Sequence, residues 1–131
     1  MSTKMRIVDD TPIVVVTYLD PIAVPGDADD ALAAGTELKN RTGGKICRIL
    51  DFSQVNLNFG DMVVGMSYER GKAGGVYDED VYNIFVGTDE WVKLGVESLG
   101  SQEQYKGANV NGLFTSEAEA IEAARALLNA S

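Results

Sequence analysis

Histidine is missing from all 131 residues of this chain. With it go the commonest general base and metal ligand of proteins, so Ser-His-Asp, Cys-His and His-zinc sites are excluded within the chain. Cysteine occurs once, as Cys47, which makes no internal disulfide; between Ile46 and Ile49 it reads as a small buried hydrophobe and not as a reactive thiol. Positive charge is scarce as well. The 11 Lys and Arg residues against 20 Asp and Glu leave a net charge of −9, and a surface with that excess repels phosphate backbones and anionic headgroups, which argues against nucleic acid as a partner. Long apolar runs are absent too: none approaches the roughly 20 residues that span a bilayer, and the opening MSTKMRIVDD lacks the apolar segment of a secretory signal. The expected setting is cytoplasmic, without membrane insertion.

What is present has a globular composition. Hydrophobic residues make up 45% and charged residues 24%, far from the signature of disorder. The length suits one domain, 1–131, and folding at this size removes roughly two thirds of the surface of the unfolded chain. No internal repeat or linker divides it.

In chain order, Met5–Val8 and Ile13–Tyr18 are β-branched runs separated by the turn residues Asp9-Asp10-Thr11-Pro12, which predicts an antiparallel hairpin. The second run is apolar almost throughout and belongs inside a sheet covered on both faces. Asp27 then caps a helix through about Arg41, with Ala28, Ala31, Leu32, Gly35 and Leu38 as a stripe of small residues that permits close approach to the sheet. Lys45–Phe52 is the next strand. Asn58 caps a helix in which Phe59, Met62, Val63 and Met66 fall at i, i+3, i+4 and i+7, one apolar face that must meet the sheet. Val81–Val86 is a strand, and Thr88 caps a helix to about Gln104 with Trp91, Leu94, Gly95 and Leu99 inward. Val110–Phe114 forms the last strand, and the capping box Ser116-Glu117-Ala118-Glu119 opens a closing helix to about Asn129 with Ile121, Ala124 and Leu128 inward. The order ββαβαβαβα demands an α/β domain with a mixed, mostly parallel central sheet of about five strands, about four helices and right-handed crossovers.

Motifs that carry chemistry are few. Gly65–Lys72 is one residue too long for a phosphate-binding loop and lacks its Ser/Thr. The clusters Asp27/Asp29/Asp30 and Asp78/Glu79/Asp80 lack the ligand spacing of a calcium loop and read as solvated surface. Tyr68, Glu69, Arg70 and Lys72 read as a helix end with local salt bridging, with a polar ligand site as the alternative. Trp91 and Tyr105 read as anchors, with a binding or dimer surface as the alternative. Asp51, at a strand end, and Asp61 are carboxylates that acid–base chemistry would use, but no second carboxylate stands opposite Asp51 by sequence. No catalytic residue, metal ligand or cofactor is assigned, and the chain reads as a non-enzyme.

Two segments resemble a known family. ILDFSQV, Ile49–Val55, is similar to the central strand and turn of STAS domains, the anti-sigma-factor antagonists, and Gly112-Leu113-Phe114 followed by Thr115-Ser116-Glu117-Ala118-Glu119-Ala120 resembles their closing strand and helix. The resemblance implies a SpoIIAA-like fold over nearly the whole chain and a regulatory, protein-interaction role, with a protein partner or a second copy. The family's Asp-Ser-Ser-Gly phosphorylation motif is absent: counted without gaps from Asp51, those places hold Phe59, Gly60, Asp61 and Met62, so an acid replaces the phosphorylated serine. The expected interaction surface is therefore Ser53, Asn58, Phe59, Gly60, Asp61, Met62 and Met66. The STAS/Sec14-like branch of the resemblance implies an alternative, a domain binding a small molecule or lipid, which predicts an apolar pocket beneath the helix carrying Phe59, Met62, Val63 and Met66.

Overall fold

The structure, a computed structural model, describes residues 3–23, 26–56, 59–101 and 107–130, with Phe59, Met62, Val63 and Met66 described as backbone only. Its centre is a five-stranded mixed sheet in which the strands lie in the order of the chain, β1 (Thr3–Ile7), β2 (Ile13–Tyr18), β3 (Ile46–Asp51), β4 (Val81–Val86) and β5 (Leu113–Phe114). The opening hairpin is antiparallel, with Met5 opposite Val16, and every later pairing is parallel. The predicted α/β class and mostly parallel sheet are observed. Among the described residues no helix is long and apolar enough to cross a membrane.

Each parallel step moves to the next strand in the same direction. Right-handed crossovers then carry every connecting helix to the same face of the sheet: α1 (Gly26–Thr42), α2 (Phe59–Tyr68) and α3 (Glu90–Ser101). On that side Val14, Val16, Tyr18, Ile46, Leu50, Val81 and Phe85 pack with Ala31, Ala34 and Leu38 of α1 and Leu99 of α3. The last helix, α4 (Glu117–Asn129), follows β5 and folds back over the other face, where Ala120 and Ala124 meet Ile13, Val15, Cys47, Ile49, Ile84 and Val86. Alternation along β2, β3 and β4 thus feeds two cores, and β2 is buried on both sides as its apolar run predicts.

Several local expectations are corrected. Helix α1 begins at Gly26, so Asp27 stands in its first turn; its buried carboxylate accepts from the Ala23 N–H at 2.8 Å. The acidic clusters are not simply solvated, since Asp30 accepts from the Thr3 hydroxyl and Asp78 accepts from Lys39, from Gly74 N–H and from Asp80 N–H. Asp89, not Thr88, caps α3, accepting from the Trp91 N–H at 2.7 Å. The buried face of α3 is Val92, Gly95 and Leu99, with Val96 packed against the core, whereas Trp91 and Leu94 are each 44% exposed. The last strand is two residues long. Gln104, Tyr105 and the Asn58 cap lie outside the described residues. The Ser116 cap is present, its Oγ accepting from the Glu119 N–H, while Glu119 takes hydrogen bonds from the Thr115 and Ser116 hydroxyls.

Candidate functional site

The inner side of α2 meets the sheet at a cavity of about 100 Å³ that opens to solvent. The strand ends supply Tyr18, Leu50, Phe52 and Phe85, the start of α1 supplies Asp27 and Ala28, α2 with the turn after it supplies Asp61, Gly65 and Glu69, and α3 supplies Val92, Gly95, Val96 and Leu99. These residues converge because all three crossover helices share one face and splay apart near the C-terminal ends of the strands. Small residues, Ala28, Gly65 and Gly95, stand where larger ones would fill the space. The lining is nearly all apolar, so the cavity favours an apolar occupant.

The floor is rigid. Tyr18 and Phe52 stack with ring centroids 4.3 Å apart and planes 6° from parallel. Behind them Arg48, fully buried on β3, donates a fork of hydrogen bonds to the two Glu69 oxygens at 2.8 and 3.1 Å, and its Nε donates to Asn83 Oδ1 at 2.8 Å. Glu69 also accepts from the Val76 N–H. Burial works against the Arg48 charge, but the Glu69 carboxylate more than offsets it and holds the guanidinium ionised. Burial also raises the Tyr18 phenol well above its ordinary value, only partly opposed by Arg48, so Tyr18 is neutral at every physiological pH. Cys47, on the opposite face, is pushed up to about 12 by burial and stays a thiol.

Of the expected surface, Gly60 and Ser53 are exposed, and Ser53 donates its N–H to Asp51 Oδ1 at 2.8 Å. Asp61 is half-buried and lines the cavity; Ser53 does not. Phe59, Met62 and Met66 stand on α2 as backbone, their side chains outside the described set, as Asn58 is altogether. Local salt bridging at the end of α2 is corrected: Glu69 turns inward to Arg48, and Lys72 sits 3.2 Å from the centre of the Tyr68 ring.

On the α4 side a second carboxylate does stand opposite Asp51. Glu117, in the first turn of α4, shares a hydrogen bond with it and accepts from Arg6 at 2.8 Å and from the Thr17 hydroxyl at 3.4 Å. The Asp51 hydrogen bond, then burial, raise Glu117 above its ordinary value against the pull of Arg6. Burial works to raise Asp51 as well, but hydrogen bonds from Glu117 and Ser53 outweigh it and hold Asp51 low. In mild acid, where Asp51 is ionised and Glu117 still holds its proton, that proton joins the pair. With Arg6, Thr17 and Ser53 occupying its remaining oxygens, it acts as a clamp between the strand end and the helix. Among the described residues no group of three or more potential metal ligands occurs.

Tyr18, Arg48 and Glu117 were not expected at any site, and Glu69 was weighed only as part of a polar helix end. Arg48 carries a sequence signal, a charge inside the apolar run ICRIL; Tyr18 carries none, because it reads as one more core aromatic. Comparison of the chain with protein-family models, with curated proteins and with solved structures found no match in any of the three.

Proposed function

We propose that this chain is a non-enzymatic module of the STAS/Sec14-like kind that holds a small apolar molecule beneath α2. The observation that carries the reading is the apolar cavity under that helix, where the alternative reading of the sequence requires one. The sheet wound in one direction, with α4 closing the far face, supports the SpoIIAA-like form of the fold. Size narrows the occupant. Sites for drug-sized ligands run to roughly 300–1,000 Å³, whereas an apolar cavity of about 150 Å³ takes up benzene; at about 100 Å³ this one suits a ring or a short chain and not a lipid. Gly65 lines the cavity, and a Cβ placed on it meets nothing within 4 Å. Gly65→Phe therefore fills the space from the helix side. The expected outcome is that benzene shifts the amide resonances of Tyr18, Phe85 and Leu99 in the full chain, and that Gly65→Phe abolishes those shifts while raising Tm. Wild-type protein whose spectrum is unmoved by millimolar benzene overturns the reading.

A second reading, the regulatory interaction module, is favoured by one observation. Val64 on α2 is 49% exposed, Gly60 one turn before it is exposed, and Trp91 and Leu94 are exposed on the neighbouring α3. Large apolar side chains on adjacent helices are the usual anchors of a protein contact. A second copy is the simplest partner to test: concentration-dependent sedimentation that Trp91→Ser abolishes supports it, and a monomer at every concentration removes it.

A further inference from the structure

Helix α2 is fastened over the cavity by two successive side chains of opposite character. Glu69 is buried, and its carboxylate is held by Arg48 and by the Val76 N–H. Tyr68 reaches α1 instead, and its hydroxyl donates to Asp29 Oδ1 at 2.7 Å on the exposed surface. The Lys72 ammonium, 3.2 Å from the centre of the Tyr68 ring, steadies that ring by a cation–π contact.

The side of α2 toward α1 is the open one. Among the described residues α2 lies along α3 and makes few close backbone approaches to α1. The lining residues on the two sides of that gap are small, Ala28 on α1 and Gly65 on α2, and a Cβ placed on Gly65 meets nothing within 4 Å. Asp29 follows Ala28 in the chain and Tyr68 stands one turn beyond Gly65, so the Tyr68–Asp29 hydrogen bond spans the gap beside the cavity. Breaking the buried bonds of Glu69 strands a carboxylate and a guanidinium away from water. Breaking the exposed bond of Tyr68 frees two groups that water satisfies at once, so it costs only the net worth of one hydrogen bond.

Resting on the ligand-binding reading above, we infer that the gap between α1 and α2 is the entrance of the cavity and that the Tyr68–Asp29 hydrogen bond is a strap across it. The strap parts to let an apolar occupant in or out, while Glu69 keeps the C-terminal end of α2 on the sheet. Such a strap governs the rates of entry and exit and not the affinity, because the closed protein carries the same bond whether empty or occupied.

The test is benzene binding to the full chain at pH 7, with exchange rates taken from relaxation dispersion of the Phe85 and Leu99 amides. In Tyr68→Phe and in Asp29→Ala, kon and koff are both expected to rise about three- to tenfold, the worth of one net hydrogen bond, with Kd unchanged. Asp29→Asn keeps an accepting oxygen and stays near the wild-type rates. A merely structural tyrosine gives a different pattern, since its loss weakens the fold and raises Kd. A Kd that shifts with koff alone, or Asp29→Asn as fast as Asp29→Ala, overturns the inference. Benzene that binds every variant at the wild-type rates removes the strap alone, whereas benzene that fails to bind the wild type overturns the ligand-binding reading beneath it.

Discussion

Arg48 sits fully buried in the middle of the sheet, and the hydrogen bonds from its guanidinium to Glu69 and Asn83 are what make that position tolerable. Removing one partner of such a pair leaves the other charge uncompensated in a low-dielectric interior. Arg48→Met is expected to cost about 3–5 kcal/mol, while replacing both charges by apolar residues is about neutral. In the double variant Arg48→Met/Glu69→Leu the remaining losses are two buried groups left without a partner, the Val76 N–H and Asn83 Oδ1, about 1–3 kcal/mol each. Urea denaturation of the three proteins checks this, and a double variant no more stable than Arg48→Met would show that the pair is not energetically coupled. The arginine was legible as an anomaly inside Ile46–Asp51. Its partner was not, because Glu69 stands 21 residues further on in a polar run that reads as a helix end, and nothing local says that the run turns inward.

Elements are where the sequence was most informative, and its errors there share a cause. Strands β2 and β4 fall where expected because their apolar runs are bounded by strong turn residues, and α4 starts at its serine cap. In α3 the expected face was rotated by the weight given to Trp91. The tryptophan and Leu94 are large and apolar, but the face made by Val92, Gly95 and Leu99 lets the helix settle closely on its neighbours, and fit outweighs size. Gly35 was expected to serve an approach of α1 to the sheet. It serves instead an approach to the loop after α2: a Cβ there would lie within 2.3 Å of the Gly74 carbonyl oxygen, and Thr36 Oγ1 donates to the Ala73 carbonyl at 3.1 Å beside it. Glycine inside a helix ordinarily costs about 1 kcal/mol relative to alanine. The two glycines tested side by side should therefore diverge: Gly35→Ala lowers Tm because backbone must move, and Gly100→Ala on α3, where an added Cβ meets nothing within 4 Å, raises it. Thermal unfolding of both variants gives the comparison, and an increase for Gly35→Ala would mean that the α1-to-loop contact is loose.

Across the whole molecule the two faces of the sheet are closed differently, three crossover helices on one side and α4 alone on the other, and beside the apolar contacts of Ala120 and Ala124, Glu117 links α4 to the strand ends through Asp51, Arg6 and Thr17. Its raised pKa stabilises the fold below the ordinary glutamate range and ceases to do so as pH rises through the folded value. The lowered Asp51 stabilises it above the ordinary aspartate range and ceases to do so as pH falls through its own folded value. The clamp is therefore firmest in mild acid, between the two. Glu117→Gln keeps a donor toward Asp51 at all pH values, so it is expected to raise Tm at pH 7, with the gain over wild type shrinking as pH falls and Glu117 takes up its proton. A gain that does not depend on pH would argue against a shared proton. The strand order has a consequence for how the chain assembles. Each strand joins the growing edge of the sheet in the order in which it is synthesised, so pairings stay close in sequence and the sheet can form while the chain is still emerging from the ribosome. Only the cover of one face must wait: until α4 appears, the row Ile13, Val15, Cys47, Ile49, Ile84 and Val86 is bare, and that interval is when the nascent protein is most exposed to aggregation and to chaperones.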